Sequence, residues 1–465
     1  MNESKNKKFS YKYATSYSIG QLSDIAAYQT FTFLVFTFYF AVVGIRIDLI
    51  VIGFIIWALW NSFNDSFIGY LSDRTHTKWG RRKIYVMISL IPLALIMILL
   101  FTPPSAFGVT DEIVNYIYFL IIIMIFELFF TMYDVNFTAL FPELFISVEE
   151  RTKANNVRQA FAIVGLIMAF VLPGMFITDY SDPGSLPQYQ IFGLVLAIII
   201  MIPGILFIKF SPDEKPEFQD DYKKTPSFVK SLKICLKSKS FKWYIPAEVA
   251  NWFVYGMLPA IVPLYGKFVL GISDTLLLSI LLGVAFISAA IFMTVLWKPL
   301  VQKIGPRKSW LISMSIWIIL LSTLMFISTY IIALIMFFLI GIGLSGSLYI
   351  IDIIISDIVD EDEINTGMRR EGAYYGVNMF LMHLSTVAVF LVIGPVFIIS
   401  DWQVYDPYNI TPAVIFGLRS LMSLYPIIAL LIALIVIYKY PLDGERLNEI
   451  KEKREKLHLK KKSNL

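Results

Sequence analysis

The sequence is poor in the residues that hold metals and that keep a protein soluble. It contains one cysteine, Cys235, and three histidines among 465 residues. A single cysteine excludes a disulfide bond within the chain and leaves no cysteine-rich metal site. Charged residues make up only 16% of the chain, well below their share in ordinary soluble proteins. The composition therefore predicts no cofactor and no metal-binding cluster, and it argues against a soluble domain.

Hydrophobic residues are abundant instead, and they occur in long runs. They form 57% of the chain, whose mean hydropathy is +0.70. The runs 84–101, 191–208 and 421–438 each approach the roughly 20 residues that a helix needs to cross a bilayer. A soluble helical bundle would show amphipathic stripes, whereas these runs are apolar on nearly every side. The sequence thus predicts an integral membrane protein.

Twelve hydrophobic segments follow one another along the chain, and we predict a helix for each, because an isolated strand cannot satisfy its backbone in lipid. The predicted segments are 16–43, 48–71, 84–102, 113–141, 157–178, 189–209, 242–270, 275–297, 309–328, 330–356, 372–399 and 412–439. The stretch GIGLSG, 341–346, lies within one of them. It lacks the lysine and hydroxyl residue that end a nucleotide-binding loop, so it predicts close helix packing.

The loops alternate in charge, with Arg46 as an exception. Lysine and arginine fill the loops on one side and both terminal segments, whereas 103–112, 179–188 and 400–411 contain neither. Under the positive-inside rule the basic loops are cytoplasmic, and twelve spans place both termini there. The polar amino-terminal stretch has no apolar core before a cleavage site, so we expect no removable signal peptide. The prediction is a multi-pass protein of the cell membrane.

The chain divides into two similar halves. The polar interval 211–240 separates six predicted helices on each side, and related loop sequences recur after about half the chain. We predict an all-α fold of two pseudo-symmetric six-helix bundles, 1–210 and 241–440, with a central cytoplasmic loop at 211–240 and a basic cytoplasmic tail at 441–465. The second part of the central loop forms either a basic amphipathic helix on the membrane surface or a solvated linker.

Two charged motifs occupy cytoplasmic loops. GYLSDRTHTKWGRRKIY, 69–85, resembles the signature loop of the major facilitator superfamily in a lengthened form. Together with DIVDEDEINTGMRREGAYYG, 357–376, it resembles the glycoside–pentoside–hexuronide:cation symporters of that superfamily. The resemblance covers the whole chain and implies the major facilitator fold. It also implies gating or structural roles for Gly69, Asp73, Arg74, Gly80, Arg81, Arg82, Asp357, Asp360 and Arg370.

Polar side chains inside the predicted spans are candidates for function, because they are costly in lipid. The resemblance implies a cation site on the second and fourth helices, and Asn64, Asp65 and Thr131 match its pattern. Asn61 stands where the family has a second carboxylate. Both Na+ and H+ therefore stay open as the coupling ion, with a slight preference for H+. The alternative for Asp65 is a buried hydrogen bond between helices, and His383 is either a proton relay or a packed histidine.

The resemblance also implies a sugar site with one aspartate on the first helix, one on the fourth and an arginine on the fifth. Asp24, Asp134 and Arg158 match these positions. Carboxylates accept hydrogen bonds from neighbouring hydroxyls and the arginine fork donates several, so this set suits a polyol. The alternative is an internal salt-bridge network without a ligand.

These residues predict a cation-coupled symporter that carries a sugar or glycoside by alternating access. One alternative is a carrier of lysolipids or other amphiphiles, which the same superfamily includes. Another is a membrane sensor or scaffold that transports nothing. We do not expect an enzyme, because no nucleophile–base pair or metal set is evident. The expected partners are a small-molecule substrate, a coupling cation and the lipid bilayer, without nucleic acid, and the expected state is a monomer.

Overall fold

The computed structural model describes residues 9–75, 77–145, 147–212, 228–367 and 370–463. Within these ranges the chain consists of helices and the turns between them, without a strand. Each hydrophobic segment that the sequence predicts coincides with a helix, so the all-helical prediction is confirmed. Of the central loop, residues 213–227 lie outside the described ranges, and a short helix follows at Phe228–Cys235.

Eleven helices in the described part of the chain are long and apolar enough to cross a membrane. The remaining predicted span is the helix Pro306–Thr323, which starts with a proline and two basic residues and is therefore less apolar. We number the spanning helices α1 to α12. They are α1 (Tyr11–Val42), α2 (Ile47–Asp73), α3 (Lys83–Leu100), α4 (Glu112–Leu144), α5 (Glu149–Phe176), α6 (Pro183–Phe210), α7 (Lys239–Phe268), α8 (Thr275–Ile304), α9 (Pro306–Thr323), α10 (Tyr330–Thr366), α11 (Glu371–Ile399) and α12 (Pro412–Tyr438). A further helix, α13 (Gly444–Ser463), follows them.

Two spanning helices extend well beyond their hydrophobic segments. At the start of α5, the Ser147 hydroxyl accepts a hydrogen bond from the Glu150 amide at 3.1 Å, and the Glu150 carboxylate accepts one from the Ser147 amide at 3.3 Å. This capping box satisfies two backbone donors and fixes an earlier start than the apolar pattern predicts. α10 continues to Thr366 and ends where Gly367 adopts a φ of +73°. Hydrophobicity alone cannot locate these ends, because the first turn of α5 and the last turn of α10 are both polar.

The chain forms two compact units. The first unit draws its described residues from Met1–Phe31, Asn64–Ile177 and Leu186–Lys224, and the second from Thr32–Phe63, Thr178–Ser185 and Thr225–Leu465. Both α1 and α2 therefore contribute residues to each unit. The predicted bundle boundaries at 210 and 241 stay a prediction.

Aromatic side chains hold α1, α4 and α6 together in the first unit. The Tyr17 ring stacks on Phe137 with 4.7 Å between ring centroids, and its hydroxyl donates to the Phe137 carbonyl oxygen at 2.8 Å. Phe207 packs edge-on against the Phe137 ring at 5.2 Å. The Ser23 hydroxyl donates to the Ile200 carbonyl oxygen at 2.7 Å. These contacts fix the rotation of α1 and thereby the direction in which its buried Asp24 faces.

Glycines of α10 allow close helix packing in the second unit, as GIGLSG predicts. A Cβ on Gly341 would lie 1.8 Å from the Ser288 hydroxyl oxygen, and one on Gly343 would lie 2.3 Å from the Trp317 Cβ. Neither position has room for a methyl group. The prediction of a packing role for this stretch is confirmed.

Replacing Gly343 by alanine should therefore destabilise the folded protein. The new methyl group would overlap Trp317, and such overpacking costs about 1–3 kcal/mol, so the midpoint of thermal unfolding in detergent should fall. Gly376→Ala is the matched control, because a Cβ at that helical position meets nothing within 4 Å. Equal unfolding midpoints for the two variants would contradict the packing role.

Candidate cation and substrate sites

Four polar side chains gather where α2 and α4 pack in the first unit. The Thr131 hydroxyl oxygen lies 3.1 Å from Asp65 Oδ1 and 3.1 Å from Glu127 Oε1. The Asn64 amide donates to the main-chain oxygen of Glu127 at 3.1 Å. Asn64, Glu127 and Thr131 are all buried, each 1% exposed. We call these four residues the oxygen cluster.

The oxygen cluster contains more acceptors than donors. One hydroxyl carries one proton, so Thr131 can donate to only one of the two carboxylates at a time. Asn64 Oδ1 is buried and makes no hydrogen bond. Carboxylate, amide and hydroxyl oxygens are the ligands that hard cations take in proteins, and two neighbouring carboxylates favour binding of a cation or a proton. The chemistry of the cluster therefore suits a small cation.

Glu127 is the residue that sequence reasoning left out of the cation site. The family pattern directs attention to a second carboxylate on α2, where this chain has Asn61. The structure brings a carboxylate from α4 to Asp65 instead, with Thr131 between them. The signal was present, because Glu127 and Thr131 are four residues apart and share one side of a helix.

Asn61 belongs to the second unit, and the structure places it beside another predicted residue. Its Nδ2 atom lies 3.3 Å from His383 Nδ1, and the imidazole tautomer decides the direction of the hydrogen bond. The Asn61 side chain is 3% exposed. This contact joins α2 to α11. A cation-binding role for Asn61 and a relay role for His383 stay predictions.

The three residues predicted to bind substrate lie together in the first unit. The carboxyl of Asp24 interacts electrostatically with both Asp134 and Arg158. Gln21 Nε2 donates to Asp24 Oδ2 at 2.7 Å, and the Thr138 hydroxyl donates to Asp134 Oδ1 at 3.2 Å. α1, α4 and α5 thus each contribute one ionisable group to a single cluster.

Hydrogen-bonding capacity remains in this cluster. Asp24 Oδ1 is buried and makes no hydrogen bond. The guanidinium carbon of Arg158 lies 4.8 Å from the centroid of the Phe141 ring, and the guanidinium also interacts with the Tyr17 hydroxyl and the Asp24 carboxyl. A guanidinium donates in a planar fork, a geometry that suits neighbouring hydroxyl groups. The substrate-binding role of these three residues stays a prediction, with an internal network of charges as its alternative.

Comparison with known proteins then identifies the family. A family model described as MFS/sugar transport protein matches residues 16–444. The chain belongs to this family. An uncharacterized symporter of Synechocystis is 23% identical to it, over 92% of this chain and 93% of the relative. The isoprimeverose transporter of Lactiplantibacillus pentosus is 26% identical, over 77% of this chain and 74% of the relative.

A solved structure shares the fold of this member of the MFS/sugar transport family. The crystal structure of a D-xylose-proton symporter superposes with a TM-score of 0.66 at 14% sequence identity, covering 94% of this chain and 99% of that chain. The major facilitator fold, which the two loop motifs implied, is confirmed. The protein is accordingly a multi-pass membrane transport protein.

The signature loop of this transporter forms an ionic cluster in the first unit. Arg81 and Arg82 both donate to Glu143 Oε1, at 2.6 and 2.9 Å, and Arg82 also pairs with Asp73 at 2.7 Å. Glu143, near the end of α4, was not singled out from the sequence. Gly80 adopts a φ of +100°, which favours glycine at this turn. The loop thereby ties the ends of α2 and α4 together.

Two further residues of the signature loop, Gly69 and Arg74, take no part in the contacts just described. A Cβ on Gly69 would lie 3.9 Å from the nearest Val135 carbon, an ordinary contact, so close packing does not require glycine there. The Arg74 guanidinium lies 3.7 Å from the centroid of the Tyr70 ring. The gating roles of both residues stay predictions.

The second motif of the transporter pairs with α13. Arg446 lies 2.7 Å from Glu361, Lys451 lies 3.9 Å from Asp357, and Arg454 pairs with Asp360. The basic tail predicted from the sequence is therefore a docked helix over its described residues, with Leu447 and Ile450 buried.

Arg370 lies at the other end of the same motif. Its Nε donates to Asp362 at 2.8 Å, and these hydrogen bonds raise the pKa of Arg370 above its ordinary value. Among the described residues of this transporter, no group of three or more histidine, cysteine, aspartate or glutamate side chains could hold a metal ion.

Proposed function

We propose that the protein is a cation-coupled symporter that carries a sugar or glycoside across the cell membrane by alternating access. The observation that carries the proposal is the placement of two clusters on one helix. α4 supplies Glu127 and Thr131 to the oxygen cluster and Asp134 to the substrate cluster, at positions i, i+4 and i+7. A cation that orders this helix would also position Asp134 for the substrate.

The substrate cluster supports a polyhydroxylated ligand. Asp24 and Asp134 accept hydrogen bonds from hydroxyl groups, and Arg158 donates in a fixed fork. The names of the family and of the isoprimeverose transporter point to the same chemical class. A lipid tail would gain little from two carboxylates and an arginine, so a sugar or glycoside is the favoured substrate.

The oxygen cluster supports Na+ as the coupling ion. Asn61 offers no charge, but Glu127 restores a second carboxylate beside Asp65. Two carboxylates with amide and hydroxyl oxygens suit a hard monovalent cation better than one carboxylate does. We therefore propose Na+ as the coupling ion, although the sequence alone slightly favours H+.

Uptake by proteoliposomes tests this function. Purified protein would be reconstituted and offered labelled pentoses, hexoses, hexuronides and glycosides, isoprimeverose included, under an imposed Na+ or H+ gradient. We expect at least one sugar to accumulate under the Na+ gradient. Accumulation under the H+ gradient alone would reverse the choice of ion, and uptake of none of the sugars would refute the proposed substrate class.

The proposed cytoplasmic location of α13 can be tested with cysteine chemistry. Burial raises the pKa of the Cys235 thiol to about 12, and the side chain is fully buried, so the native cysteine should react slowly near neutral pH. A Lys453→Cys change in a Cys235→Ala background introduces a thiol at an exposed position. An impermeant reagent should label this thiol only after cells are permeabilised. Labelling in intact cells would place α13 outside.

A further inference from the structure

A further group of buried polar side chains belongs to the second unit, whereas both clusters described above belong to the first. Asn378 of α11 donates through Nδ2 to Glu248 Oε1 of α7 at 2.8 Å. Glu248 is 1% exposed and Asn378 is 6% exposed. A carboxyl group is thus enclosed between two helices that are otherwise strongly apolar.

The surroundings of Glu248 leave one of its oxygens unsatisfied. Oε2 is buried and makes no hydrogen bond. The Tyr244 hydroxyl and the Trp252 indole N–H interact with the carboxyl, but neither completes a hydrogen bond. Among the described residues, no lysine, arginine or histidine forms an ion pair with Glu248.

The other titratable groups near Glu248 supply no positive charge. The Asp352 carboxyl of α10 interacts with it electrostatically. Tyr244, on the same helix as Glu248, also interacts with Asp352 and with Tyr375 of α11. These groups are acids, so none of them supplies the positive charge that a buried carboxylate needs.

A proton would remove the buried charge of this group. Glu248 Oε2 makes no hydrogen bond, and the Tyr244 hydroxyl and the Trp252 indole N–H beside it are also buried without a partner. A proton on Oε2 converts one acceptor into a donor, which the Tyr244 hydroxyl oxygen can accept. It also removes a buried charge that has no cation partner, which is the larger gain.

We propose that Glu248 is a proton-binding site of the second unit, distinct from the oxygen cluster. An O–H bond forms at Oε2 when a proton arrives from water, and the carboxyl charge changes from −1 to 0. The reverse step returns the proton to water when the carboxyl becomes hydrated during the transport cycle. Release of the proton during the transport cycle rests on the proposed transport function, whereas binding of the proton does not.

Infrared spectroscopy of the reconstituted full-length protein tests the first step. The parent should show the carbonyl stretch of a protonated carboxylic acid at neutral pH, shifted in heavy water, and Glu248→Gln should lack one such band. Glu449→Gln, an exposed position in α13, should keep it. An identical band in the Glu248→Gln protein would overturn the proposal. Should that variant fail to fold, Tyr244→Phe removes the expected acceptor, and an unshifted band would overturn it equally.

The second step is tested by sugar exchange with equal Na+ on both sides of the membrane. Because the neutral carboxyl is the competent form, exchange by the parent should fall as the pH rises. Exchange by Glu248→Gln, which is permanently neutral, should stay level over the same range. The same pH curve for both proteins would show that this proton takes no part in transport. If no sugar were exchanged at any pH, the proposed function would fail while the infrared result still decided whether Glu248 binds a proton.

Discussion

Replacing Glu127 by glutamine should abolish Na+-driven sugar accumulation in proteoliposomes. Glutamine keeps the size of the side chain and its hydrogen bond to Thr131, but it removes one of the two negative charges beside Asp65. A hydrogen-bonded charge contributes on the order of 1.5–3 kcal/mol, so the affinity for Na+ should fall about 10- to 100-fold. The Na+ concentration that gives half-maximal sugar binding measures this change.

Two comparison variants make the Glu127 result specific. Asp65→Asn should show a loss of the same kind, since both carboxylates face one hydroxyl. Glu149→Gln removes a carboxylate that is 77% exposed at the start of α5, and it should leave the Na+ dependence unchanged. If Glu127→Gln accumulated sugar normally while Asp65→Asn did not, Asp65 would be the only carboxylate of these two that binds the cation.

Replacing Arg158 by lysine should weaken sugar binding strongly while the protein stays folded. Lysine keeps the positive charge but loses the planar fork that donates in parallel to neighbouring hydroxyls. The loss of charge-assisted hydrogen bonds should lower the affinity for the transported sugar about tenfold or more. Direct binding to the purified protein, by flow dialysis with the labelled sugar, measures this effect apart from transport.

The control for Arg158 is an arginine without a neighbouring cluster. Arg46 forms an ion pair with Asp48, and the two side chains are 47% and 40% exposed. Arg46→Lys should bind sugar like the parent, because an exposed pair contributes little. Unfolding midpoints of both variants should match that of the parent. Unchanged affinity in a folded Arg158→Lys protein would remove Arg158 from the substrate site.

The spanning helices could be predicted because residues that cross a membrane form long hydrophobic runs. The alternation of basic and non-basic loops between those runs can also be read directly from the sequence. The stripe of Glu127, Thr131 and Asp134 is also visible, since helical spacing alone aligns these residues. The sequence alone does not show which polar side chains of different helices contact one another. Asn61 and Asp65 share a helix, yet the structure describes Asn61 beside His383 and Asp65 beside Thr131.

Pairs that are distant in sequence were the least predictable part. The sequence predicts only a basic cytoplasmic tail at 441–465, because nothing in that segment identifies the acids of α10 as its partners. Arg446 and Glu361 are 85 residues apart. Glu248 was visible as a polar residue within a span, but its missing hydrogen bond depends on the placement of Asn378 and Tyr244.

The pairing of α10 with α13 also bears on how the protein is made. Arg454 lies 94 residues after the Asp360 that it neutralises, so a ribosome finishes α11 and α12 before it supplies the partner. Until then Asp357, Asp360 and Glu361 lack the basic partners that α13 supplies. These acids of α10 are therefore paired only after α13 has been synthesised. A nascent chain that stops before α13 would present quality-control proteases with a membrane-inserted bundle that has an open acidic edge.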